Sequence, residues 1–238
     1  MLQIRNNSRR AKEVIILFWV YIAMSVISLA STSYQYFLLE RFRSNPVIAD
    51  FQGPLAISDT LQQVVAILTS VSSILLIVYF IRWFRRAYYN LHELPGAYTT
   101  FVEGWAAGSW FVPILNLFRP YQIMKEIWEG NLRFLAHRIS NPPSVSIVGV
   151  WWGLYVVMNL YSNFSIRYAL KAHELDTLIT SSQIDIFGDL ISIPAAIVAI
   201  NMVKKASAVE DELWHEVQEG SDSVFSAYEH GESDQPVS

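Results

Sequence analysis

Three stretches of about twenty residues carry no charged side chain: Val14–Ser33, Leu61–Ile81 and Ser146–Ile166. A fourth, Ile184–Val203, carries only Asp185 and Asp189. A helix needs roughly 20 apolar residues to cross the ~30 Å hydrocarbon core of a bilayer. In lipid the backbone must satisfy its own hydrogen bonds, which such runs do as helices. Only 16% of the 238 residues are charged, against roughly 25% in soluble domains. The expectation is an all-α polytopic membrane helix bundle, residues 14–205, with four transmembrane helices over about 14–38, 61–82, 146–167 and 184–204.

The first run follows a basic leader, residues 1–13, with Arg5, Arg9, Arg10 and Lys12. Ser28-Leu29-Ala30 resembles a signal-peptide cleavage site. The apolar character continues through Tyr34–Leu39, longer than a signal peptide's apolar core, and favours an uncleaved span. Asn45-Pro46 through Pro54 reads as a loop, and Pro95-Gly96 as a turn. The second span closes in "RWFRRAYYN", Arg82–Asn90, where arginines alternate with interfacial aromatics. The tail, 206–238, is acidic and reads as disordered from about Gln218 onward.

Between the second and third spans lies a charge-free run, Gly104–Phe118, too short to cross as a helix. Pro113 removes a backbone donor in its middle, and Gly104, Gly108 and Asn116 weaken it further. The distribution of basic residues points to entry and return on one side. With a cytoplasmic N-terminus, the inside then holds Arg5, Arg9, Arg10, Lys12, Arg82, Arg85, Arg86, Arg119, Lys125, Arg133, Arg138, Lys204 and Lys205. The outside keeps only Arg41, Arg43, Arg167 and Lys171 of the 17 basic residues. Were the run a full crossing, nine would lie inside and eight outside, and the bias would vanish. Gly104–Phe118 is therefore expected as a re-entrant segment at the cytoplasmic side, with both termini cytoplasmic at a cell (inner) membrane. An amphipathic interfacial helix over 120–138 follows, Pro120 at its start and Tyr121, Met124, Trp128, Leu132 and Leu135 on its apolar face.

The order of these features resembles the bacterial membrane family known as domain of unknown function 4328. The resemblance covers roughly residues 60–205. It rests on Gly104, Trp105, Trp110, Phe111, Pro113, Asn116, Leu117, Arg119, Pro120, Ile127 and Trp128. It departs at Glu129-Gly130-Asn131, where family members often carry Arg-Ala-Ser. The resemblance implies the topology and brings no activity, so Gly104, Trp105, Trp110, Pro113, Asn116, Pro120 and Trp128 stand as a structural motif.

Candidate chemistry is sparse. Asn116, in a broken segment at membrane depth, is either a ligand contact or a cap for freed backbone groups. Asp185 and Asp189 share a helix face with Ser192. The preceding span is polarised by Asn159, Ser162, Asn163 and Ser165 and ends at Arg167. An ion pair from Arg167 to one of the acids is expected, and Asp189 is the candidate for an ion path. Arg82, Arg85, Arg86, Arg119, Lys125 and Arg133 form a basic belt suited to lipid headgroups. His92 and His137, both near the inner surface, lack any ligand spacing for metal or haem. There are no cysteines, no catalytic constellation, no cofactor motif and no basic block for nucleic acid. Two functions remain: a non-catalytic membrane scaffold or regulatory protein that contacts lipids, a membrane partner or another copy of itself, and a small oligomeric transporter or channel.

Overall fold

A computed structural model describes residues 4–45 and 52–232. The ends of the leader and tail, and residues 46–51 of the expected loop, lie outside the described residues. Every regular element among those described is helical: α1 (Ser8–Ser44), α2 (Gln52–His92), α3 (Trp105–Gly108), α4 (Arg119–Phe134), α5 (Ser146–Ala169) and α6 (Leu175–Glu232). Pro54, expected in a loop, stands in the first turn of α2, where its missing N–H costs nothing.

Three helices are long and apolar enough to cross a membrane: α1, α2 and α6, with mean hydropathies of 2.3, 2.6 and 1.9 in their most apolar windows. Only 17% of that window is buried in α1 and in α2, so most of their apolar surface is left for lipid. The expected four spans and re-entrant segment thus reduce to three by length and hydropathy. α5 has 24 residues, about 36 Å of helix, but Trp151, Trp152, Tyr155, Asn159, Tyr161 and Asn163 lower its hydropathy.

The chain divides into two compact units. The first takes the described parts of Met1–Lys12, Phe80–Val148 and Val203–Ser238; the second takes Glu13–Tyr79 and Gly149–Met202.

The first unit has a core of large side chains. Trp83, Phe84, Tyr88 and Leu91 of α2 are fully buried, as are Ile123, Met124 and Ile127 of α4 and Leu213 of α6. Trp110 stands edge-on to Phe80 at 5.6 Å and Phe84 at 5.8 Å, a favoured aromatic geometry. α4 buries Pro120, Ile123, Met124, Ile127, Trp128 and Asn131. Its buried stripe is rotated from the expected one, leaving Tyr121 and Leu132 half-buried, and it faces protein. The helix also ends at Phe134, earlier than expected. At Gly130 the backbone of α4 comes so close to α2 that an added Cβ would overlap the Leu91 side chain.

α6 runs beyond Lys204-Lys205 and stays helical through Glu232, past the point where the sequence reads as disordered. Its acidic side chains have partners in the turn after α4: Arg138 reaches Glu216 at 2.6 Å and Glu219 at 2.7 Å, and His137 lies 3.2 Å from Glu216.

The second unit mixes small buried residues with large ones such as Leu38, Trp151 and Ile200. Ala196, Ala199 and Val65 are buried together with Ser25, Ser31, Thr32, Ser58, Ser72, Ser182 and Ser192. Small side chains let helices approach where lipid supplies no hydrophobic drive. At Gly188 a Cβ would stand 2.9 Å from the Tyr161 ring, whose hydroxyl donates to the Ile184 carbonyl at 2.6 Å. That bond holds the ring over the glycine.

Candidate functional site

The broken segment turns at one residue. Ile114 has φ 71° and ψ −52°, and the Leu115 N–H donates to the Pro113 carbonyl at 2.8 Å. That is a γ-turn with a β-branched residue at its centre, strained by about 1–3 kcal/mol. A 3₁₀ turn, Leu115–Leu117, follows at once. The bend satisfies its backbone internally: the Asn116 N–H donates to Val112 at 3.0 Å and the Leu117 N–H to Ile114 at 3.0 Å. The Asn116 carboxamide is half-buried and bonds none of the described residues, so its expected role as a cap falls to its main chain. Gly104 has ordinary helical φ and ψ and open space at its Cβ position, so nothing in the structure demands glycine there. Around the bend, Phe111 and Ile114 are 73% and 72% exposed, large apolar side chains with no protein cover.

Arg119, one of the headgroup candidates, stacks on two aromatic rings. Its guanidinium lies 4.3 Å from the Phe101 ring centre and 4.7 Å from that of Trp105. Each contact contributes roughly 0.5–2 kcal/mol. Pro120 stands in the first turn of α4, and the Trp128 indole N–H donates to the Pro143 carbonyl at 3.2 Å. The motif residues Trp105, Trp110, Pro120 and Trp128 are thus spent on holding the segment together.

Residues 100–101 are tied to α2 and α4. The Tyr88 hydroxyl donates to Glu126 Oε2 at 2.8 Å and accepts from the Phe101 N–H at 3.3 Å. Burial and the Glu126 carboxylate push its phenol well above the ordinary range. Both ring nitrogens of His92 face carbonyl oxygens, Tyr88 at 2.9 Å and Phe101 at 3.0 Å, so His92 is used structurally.

A buried polar knot joins the leader to α2 and α6. Glu210 sits on the buried stripe of α6 with Val203, Ala206, Ser207 and Leu213. Asn7 donates to its Oε2 at 2.9 Å and Asn90 to its Oε1 at 2.7 Å. Asn7 also donates to the Trp83 carbonyl at 3.2 Å. Asn90 grips the backbone of Arg5 at two points, accepting its N–H at 3.0 Å and donating to its carbonyl at 2.8 Å. Burial pushes Glu210 up to about 7, with Asp211 adding to this; the hydrogen bonds from Asn7 and Asn90 and the Arg86 charge oppose it. Nothing in the sequence reading singled out Asn7, Asn90 or Glu210. The available signal was an acid at the i+3 and i+7 positions of an otherwise apolar or small stripe.

Beside this knot is a cleft of ≈390 Å³ lined by Arg5, Arg10, Arg82, Arg85 and Arg86, with Tyr89 and Glu103. Of the expected headgroup residues, Arg82, Arg85 and Arg86 come together here. Lys125 pairs with Glu129 at 3.6 Å on α4 and is not among the lining residues.

In the second unit the acids are held by hydroxyls. Ser165 donates to Asp185 at 2.6 Å, and Ser28 bonds Asp189. Arg167 is exposed and has no ion pair among the described residues, which corrects the expected pair. Asp189 Oδ2 is buried without a partner, and Ser192 bonds both the Asp189 carbonyl and Ser25. Asn163 turns back on its own helix, donating to the Asn159 carbonyl at 2.8 Å, so these two amides do not gather with the acids.

Searches among curated proteins and among solved structures give no match. A family model does match, over residues 48–208, which takes in α2 through the first part of α6 and the whole broken segment. The chain belongs to the family described as Domain of unknown function (DUF4328).

Proposed function

We propose that this chain is a non-catalytic, four-span protein of the bacterial inner membrane whose first unit lies at the cytoplasmic face and serves as an interaction module. The observation that carries this reading is the fate of the motif. Arg119, Trp105, Trp110 and Trp128 all bind parts of their own unit together, and the bend presents Phe111 and Ile114 outward. A strained turn tipped with exposed apolar side chains suits a dip into lipid from one side. α5, 24 residues long and uncharged as far as Arg167, is long enough to be the fourth span. Aromatic residues at its start suit an interface. The partners are membrane lipids and a membrane protein or a second copy that covers the apolar faces of α1 and α2.

Ser140 is exposed in the first unit and the chain contains no cysteine. A Ser140→Cys variant is expected to react with an impermeant maleimide only when the reagent reaches the cytoplasmic side. Labelling of intact cells from outside would overturn the re-entrant topology.

A second reading is favoured by one observation, the buried, unpartnered Oδ2 of Asp189 among Ser25, Ser28 and Ser192. It makes the second unit a small oligomeric transporter with Asp189 on a cation path. The scaffold reading predicts no flux of protons or monovalent cations into liposomes carrying the purified protein. Flux that disappears in Asp189→Asn would replace the scaffold reading with the transporter.

A further inference from the structure

We infer that the cleft of the first unit is a binding site for a phosphate group bearing two negative charges, either a phosphomonoester or a diphosphate. Five arginines and one carboxylate line ≈390 Å³, a strongly basic surround in a space the size of a small-ligand site. The carboxylate, Glu103, takes Arg85 through Nε alone, at 3.0 Å, and so leaves the Nη fork of Arg85 as a donor pair. Guanidinium forks match phosphate oxygens in pairs and remain charged at any physiological pH. The cleft offers little to an apolar ligand, because its one aromatic ring, Tyr89, already carries the guanidinium of Arg5 at 4.8 Å and that of Arg86 at 5.8 Å.

The arrangement is built rather than incidental. Arg82, Arg85, Arg86 and Tyr89 stand at i, i+3, i+4 and i+7, on one face of α2. Arg5 and Arg10 come from the other end of the chain, and the Arg5 backbone is fixed by the two-point grip of Asn90. Arg10 Nη1 donates to the Arg82 carbonyl at 3.1 Å, which sets it beside the α2 face. Glu210 anchors Asn7 and Asn90 and is therefore a positioning residue for this cleft. The nearby C-terminus of α2 brings an opposing field of roughly half a negative charge, small beside the guanidinium groups that line the cleft.

Two sources can supply this chemistry: the headgroup of an anionic lipid such as phosphatidic acid, and a soluble diphosphate. The anion site stands on the cleft alone; the lipid source rests on the topology proposed above. The test uses the full chain in phosphatidylcholine nanodiscs, with phosphatidic acid doped into one set and inorganic pyrophosphate added to another. Binding is read by native mass spectrometry for the lipid and by titration calorimetry for pyrophosphate. Arg5→Gln/Arg86→Gln is expected to weaken binding at least about tenfold, and Arg41→Gln/Arg43→Gln, which removes equal charge elsewhere, to leave it unchanged. Arg82→Gln/Arg85→Gln provides a second pair should the first lose its fold by circular dichroism. Weakened phosphatidic acid binding supports the lipid source, and weakened pyrophosphate binding alone supports the soluble source. Absence of binding to both, or equal loss in the control pair, overturns the site. Neither result bears on the topology, which the Ser140 labelling decides separately.

Discussion

Replacing Glu210 with glutamine is expected to stabilise the protein at pH 8, by up to about 3 kcal/mol, and to leave it nearly unchanged at pH 5. The Glu210 carboxyl is wholly buried and pushed up to about 7 from an ordinary 4.5. Below about pH 4.5 it is protonated in both the folded and the unfolded chain. Between about 4.5 and 7 the folded protein keeps a proton that the unfolded chain releases, so stability falls as pH rises through that window and levels off above it. Glutamine has no charge to desolvate and should flatten the profile. Its amide meets one donor it cannot accept from, which Asn7, with Oδ1 buried and unpartnered, offsets in part by turning. Glu210→Ala is the harsher change, because Asn7 and Asn90 each lose an acceptor at about 1–3 kcal/mol apiece. Thermal unfolding in detergent at pH 5 and pH 8 reads all three proteins. A wild-type midpoint that does not fall between those values, or that falls equally in Glu210→Gln, would show the carboxyl ionised throughout.

The second large effect is expected where α4 meets α2. Leu91→Ala removes a fully buried side chain and should cost about 2–5 kcal/mol. Gly130→Ala places a methyl group into the Leu91 side chain and should cost about 1–3 kcal/mol alone. Made together, the two should cost clearly less than their sum, since the new methyl enters the space that Leu91 vacates. The same melts measure the coupling, and strict additivity would falsify the close contact.

The apolar runs made the long helices legible, because nothing but a helix in lipid accommodates twenty uncharged residues. The broken character of Gly104–Phe118 was legible too, from its length and Pro113. Its pivot was not, because no property of Ile114 announces a positive φ; the neighbours impose it. Asp185 or Asp189 was expected to pair with Arg167; Asp185 instead meets Ser165, since a short hydroxyl on the adjacent helix needs no long side chain ordered beside it. The stacking of Arg119 was not legible, because sequence shows its charge and not the two rings beside it. Glu210 was missed because the reading of α6 stopped at Lys204-Lys205, where the apolar span ends but the buried stripe does not. Three of the cleft's five arginines were visible in "RWFRRAYYN"; the leader's share depends on Asn7 and Asn90, residues that look like ordinary surface polars.

The knot around Glu210 also has a consequence for synthesis. Asn7 leaves the ribosome well before its carboxylate partner, which follows 203 positions later. Ser8 waits the same distance for Asp211. The leader can meet Trp83 and Asn90 of α2 early, but its bonds to Glu210 and Asp211 wait until α6 has been made. A chain arrested before residue 210 would hold its leader, and with it two of the five arginines of the cleft, by α2 alone. The knot beside the cleft is thus complete only once α6 has joined the leader and α2.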